Sequence, residues 1–161
     1  MASLSPLFSS HVDPALEALL PESVSGTSLL RYSIGFSQLL DSGGNRPVVD
    51  AFLQSIGKTE ADGTFASAFD SSGQLAGGIS AFKVAGAPAE ALLNGVIELE
   101  KSDLGAGAAT HQATVGNKPV IVVSVGSGVN DTEWIYGHGD VVFVVQAPDE
   151  EHAAAFLAAL P

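Results

Sequence analysis

Two runs in the C-terminal third of the chain, KPVIVVSVG at 118–126 and DVVFVVQA at 140–147, are apolar at almost every position. A strand that buries one face alternates apolar with polar residues, because successive side chains point to opposite sides of the sheet. A strand without that alternation lies centrally, covered by helices. These two runs therefore belong centrally in a sheet and under helices, and the rest of the chain has to supply both.

DPALEALLP, Asp13 to Pro21, has an Asp at N-cap, a Pro at the first helical position and leucines at 16, 19 and 20, which predicts a short amphipathic helix. TSLLRYSIGF sets Leu30, Tyr32, Ile34 and Phe36 against Arg31, Ser33 and Gly35, the pattern of a half-buried strand. DSGGN is loop chemistry, and RPVVDAFLQSIG spaces Val48, Val49, Phe52, Leu53 and Ile56 for a second helix closed by Gly57. GTFASAFD and GQLAGGISAFKVAG read as antiparallel strands joined through Asp70-Ser71-Ser72-Gly73. APAEALLNGVIELEKSD forms a third helix, with Pro88 and Glu90 at its start, Lys101 at its end, and Leu92, Leu93, Val96, Ile97 and Leu99 on its apolar side.

After the linker LGAGAA come THQATVG, KPVIVVSVG, TEWIYGHG and DVVFVVQ, a strand-rich block with turns at Gly116-Asn117, between Gly126 and Asp131, and at His138-Gly139. PDEEHAAAFLAALP closes the chain as a capped, alanine-rich helix. The order α, β, α, β, β, α, β, β, β, β, α defines an α+β class: an antiparallel sheet with helices packed mainly on one face. Residues 1–12 are expected as a disordered or extraneous lead and 13–161 as one domain. ISAFKVAGAPAEALL and VVFVVQAPDEEHAAAFL share the order strand, Ala-Pro, acidic turn, helix, so an internal duplication with halves 13–103 and 108–161 stands beside convergent helix-start chemistry.

The charge balance narrows the partners. Six Lys and Arg against 18 Asp and Glu give a net charge of −12, which opposes binding to phosphate backbones and anionic membrane surfaces. Neither nucleic acid nor direct membrane insertion is expected, and no run approaches the roughly 18 uninterrupted apolar residues of a spanning helix. With no cysteine there is no disulfide framework, no thiolate nucleophile and no Cys-ligated metal. MASLSPLFSSHVDP lacks the basic and apolar regions of a signal peptide, so the export signal or anchor of a secreted parent is expected to lie outside these residues.

Chemistry has few candidates. WIYGHGDVVFVV places His138 and Asp140 one glycine apart, but two strands must reverse there, and glycine-rich hairpin chemistry explains every residue type. His11, His111 and His152 show no H-x-x-x-H or H-E-x-x-H spacing with it, so no metal site is assigned. Ser127, between Gly126 and Gly128, has neither the G-x-S-x-G spacing nor the following helix of a nucleophile elbow. NDTE at 130–133 lacks the register of a calcium loop. Trp134 and Tyr136 share one face of their strand and read as core, or as a ligand surface if that face meets solvent. No catalytic residue and no cofactor is expected.

The pattern LPESVSGTSL, GKTEADGTFASAF, GGISAFKVAGAPAEALL, ATVGNKPVIVV and WIYGHGDVVFVVQAPDEEHAAAFLAALP resembles poorly characterised bacterial secreted or lipoprotein-like α+β domains. The resemblance spans nearly the whole chain, implies an exported parent, and rests on turns and core positions, so it carries no catalytic residue. The first expectation is a non-enzymatic extracytoplasmic binding or protein-interaction module, with Glu133, Trp134, Tyr136, His138 and Asp140 as its ligand or partner surface. The alternative is a self-assembling subunit that pairs strand edges. A small hydrolase or metal-dependent enzyme built on Glu133, His138 and Asp140 comes third and requires those side chains to converge.

Overall fold

The computed structural model describes residues 9–126, 128 and 131–161. The apolar run near the C-terminus is β9 (Val141–Gln146), the middle strand of a seven-stranded antiparallel sheet. Outward from it on one side lie β5 (Gly78–Val84), β4 (Gly63–Phe69) and β3 (Leu30–Gly35). On the other side lie β8 (Thr132–His138), β7 (Lys118–Ser124) and β6 (Ala109–Val115). Val141 to Val145 are all buried: Val141, Phe143 and Val145 join one core, Val142 and Val144 the other. The second apolar run, β7, lies one strand in from the edge and is paired on both sides.

Two layers of helix supply the cover. α2 (Phe36–Asp41), α3 (Arg46–Ser55) and α4 (Ala89–Leu104) press Phe36, Leu40, Val49, Leu53, Leu92 and Val96 onto the face of Phe65, Phe82, Ile135 and Val144. α1 (Pro14–Glu17) and α5 (Glu150–Ala158) bring Leu16, Phe156 and Leu157 onto the opposite face, against Trp134 and Phe143. The larger helical layer is on one face, as the sequence predicts, and the smaller second layer follows from β9, which has no polar side to leave in water. The two Ala-Pro helix starts of the internal echo follow neighbouring strands, β5 and β9, yet their helices α4 and α5 lie on opposite faces.

The structure corrects several details. The strand expected to run through Phe36 stops at Gly35, and Phe36 opens α2 instead. Its ring crosses β4 at Gly63, where a Cβ would lie 2.2 Å from Phe36 Cδ2, so a glycine there makes room for the turn from strand into helix. A small hairpin, β1 (Ser23–Val24) with β2 (Thr27–Ser28), follows α1. Within the expected lead, residues 10–12 lie along the outer edge of β3: Ser33 N donates to Ser10 O and Val12 N to Ser33 O. Glu17 fastens that edge, accepting from Ser33 Oγ at 2.5 Å and lying 2.9 Å from His11 Nδ1.

The predicted hairpins form. Gly116 and Asn117, both at positive φ (58° and 62°), make the two-residue turn between β6 and β7, the geometry of a type I′ hairpin. Between β8 and β9, His138 pairs with Val141 and the tip is Gly139-Asp140. Gly139 alone takes positive φ there, 58°, so His138 ends its strand in place of occupying the turn. Of the turn expected between Gly126 and Asp131, Ser127, Val129 and Asn130 lie outside the described residues.

Candidate functional site

The alternation of β8 separates the five residues predicted as a surface. Trp134 and Tyr136 are 4% and 9% exposed and belong to the core under α1 and α5, so they offer no aromatic patch to solvent. The Tyr136 hydroxyl donates to Pro161 O at 3.1 Å, and Lys118 Nζ stands 5.0 Å from the ring centroid. His138 and Asp140 are exposed at the hairpin end, where Asp140 pairs with Lys83 at 3.5 Å and His138 Nδ1 lies 3.3 Å from the Tyr136 hydroxyl. Glu133 points to the other face and sits five residues before His138, roughly 17 Å along a strand that rises about 3.3 Å per residue. Glu133, His138 and Asp140 therefore do not converge, and the enzyme that needs them together has no site.

Glu133 is the informative member of the set. It is 5% exposed, and its Oε1 accepts from Gln146 Nε2 at 2.6 Å, while its buried Oε2 has no donor if every neighbouring acid is ionised. An orphaned buried acceptor is costly, so a proton is expected nearby. Glu100 on α4 supplies it. Glu100 is 7% exposed, and burial, with the hydrogen bond and charge of Glu133 and the charge of Asp103 adding to it, pushes its carboxyl up to about 10. At neutral pH Glu100 is therefore the protonated partner and donates to Glu133.

Glu100 of this pair lines a cavity of about 130 Å³ between α2, α3, α4 and the sheet. Its floor is Phe65 and Phe82 and its walls include Phe36, Phe52, Leu92 and Val96. The rings are held by each other: Phe65 and Phe82 pack edge to face with centroids 5.3 Å apart, and Phe36 meets Phe82 at 6.4 Å. Gly95 on α4 admits Phe52 to the wall, since a Cβ there would lie 2.5 Å from the ring. The polar end is Asn45, Glu100 and Asp103, and it opens to solvent at Gly44 and Asp103. Partial burial raises the Asp103 carboxyl, a hydrogen bond from Asn45 opposes that, and the Glu133 charge adds to it. An apolar chamber with a few converging polar groups at its mouth is the usual form of a small-molecule site.

The sequence carries a signal for this site. Leu92, Val96 and Glu100 recur at i, i+4, i+8, so Glu100 falls on the apolar stripe of α4, and Glu133 shares its side of β8 with Ile135. Each acid occupies a position where the pattern demands a hydrophobe. No protein-family model, curated protein or solved structure matches the chain. Among the described residues, no group of three or more His, Asp or Glu side chains is placed to hold a metal ion, and no helix is long and apolar enough to cross a membrane.

Proposed function

We propose that this protein is a non-enzymatic binding module of an exported parent, and that its ligand is a small molecule received in the cavity under α3 and α4. The observation that carries the reading is the combination of an apolar, ring-lined space of about 130 Å³ with the buried, protonated Glu100 carboxyl at its polar end. A space near 150 Å³ elsewhere takes a benzene-sized molecule, which sets the scale of the ligand. The extracytoplasmic setting rests on the resemblance of the turn and core pattern to exported domains. A fragment screen read by amide chemical shifts tests the binding site. Hits should move resonances of Phe52, Val96 and Glu100 and be lost when Val96→Phe fills the chamber; hits that bind the Val96→Phe protein equally well contradict the assignment.

A second reading, self-assembly through strand edges, has its own support. β6 is the outer strand on its side, six of its seven residues are exposed or partly exposed, and it contains no Lys, Arg, Asp, Glu or Pro, the residue types that ordinarily blunt a free edge. The opposite edge, at β3, is partly covered by residues 10–12. Light scattering over a wide concentration range tests it: a mass that rises with concentration and falls back in Gln112→Lys supports pairing at β6, and a constant single-chain mass removes it.

A further inference from the structure

Taking the cavity as the binding site, its chemistry can be narrowed further. A ligand head that reaches the polar end meets Glu100, which pairs with the buried Glu133, whose Oε2 has no other donor among the described residues. Glu100 brings a buried carboxyl to this end of the cavity, Glu133 pairs a second one with it, and Asp103 adds a third at the mouth. Among the described residues, none of these three acids forms an ion pair with Lys, Arg or His. The neighbours on the other elements are polar but uncharged: Gln146 of β9 donates to Glu133, and Asn45 at the start of α3 hydrogen bonds Asp103. The end of the cavity thus lacks a cation.

The walls favour one as well. Phe36, Phe52, Phe65 and Phe82 surround the space, and phenyl faces attract a cation that has left water, most of all where solvent is excluded. A hydrated metal ion would find too few ligating oxygens and an apolar wall, whereas an ammonium group carried on a hydrocarbon body satisfies both ends at once.

We infer that the cavity binds a small primary amine with an apolar body of about one ring, its ammonium paired with the Glu100 carboxylate at the polar end and its ring against the phenylalanines. The exchange balances: the protonated Glu100 carboxyl and the alkylammonium ion give a carboxylate–ammonium pair and one proton released to solvent. A neutral ligand of the same shape gains the walls without the charge and releases nothing.

Benzylamine and its neutral isostere benzyl alcohol are the probes, titrated calorimetrically near neutral pH in two buffers of different ionisation heat. The wild-type protein should bind the amine at least about tenfold more tightly than the alcohol, with about one proton released per amine. Glu100→Gln, whose amide can still donate to Glu133, should lose the preference for the amine over the alcohol and the proton release. Glu133→Gln should weaken amine binding in the same direction. Equal affinity for the two probes, or amine binding without proton release in the wild-type protein, overturns the amine assignment and leaves the cavity as a site for neutral ligands. Failure of both probes to bind the wild-type protein takes down the binding-site reading itself.

Discussion

At the scale of single residues, Glu100 couples stability to pH in a direction opposite to most carboxylates. Its ordinary value is 4.5 and the fold raises it to about 10, so between those limits the unfolded chain releases the proton and the folded chain keeps it. Stability contributed by this group is therefore full below about 4.5 and declines as pH rises toward about 10. Glu100→Gln removes the titration, keeps a donor for Glu133, and should flatten this slope and raise stability at alkaline pH. Urea denaturation near pH 6 and near pH 9 reads the difference; a variant less stable than wild type at both values, by the same amount, contradicts the account. Asp70 behaves the opposite way. The Ser72 hydroxyl and the Leu75 amide hold its carboxyl at about 2, below the ordinary 3.8, so it stabilises the β4–β5 connection above 3.8 and loses that contribution as the pH falls through about 2. Asp70→Asn should lower the melting temperature at neutral pH, with the gap to wild type closing in strong acid.

At the scale of elements, the turns are the most legible parts, because each demands a backbone few residues adopt. Gly116 is required twice over: it sits at φ 58°, and a Cβ there would lie 2.7 Å from Ala154 O of α5. Gly116→Ala should cost about 1–3 kcal/mol in chemical denaturation, more than a surface Gly→Ala at negative φ, because both strain and a backbone clash oppose it. The helix α4 is equally readable from its Ala-Pro start and its apolar spacing. The helix α2 is not, since FSQLL carries no N-cap side chain and Phe36 continues the alternation of β3 by one more residue. What ends the strand is the space above Gly63, a contact across 27 positions of sequence that no local pattern contains. The pairing of Glu100 with Glu133 is hidden for the same reason: the apolar spacing flags each acid separately, and only the packing of α4 on β8 joins them.

At the scale of the whole molecule, the doubly buried β9 organises everything else. Phe143 is fully buried at the centre of the sheet, and Phe143→Ala should destabilise the fold by about 3–5 kcal/mol in denaturant titrations, the range for removing an aromatic from a close-packed core. The apolar runs place β9 centrally under helices, whereas the second, smaller helical layer on its other face and the meeting of Glu100 with Glu133 are not legible in them. His138 and Asp140 attract notice because they stand beside glycines, but water surrounds them and their partners are ordinary surface contacts. The two acids that the fold buries 33 positions apart are where charge and hydrophobic space compete. The most direct test is a carbon-13 titration of the glutamate side-chain carboxyls in the wild-type protein, with Glu100 assigned. The account predicts that Glu100 remains protonated through about pH 8 while it faces Glu133. A Glu100 carboxyl that titrates near 4.5, like an exposed glutamate, would contradict it.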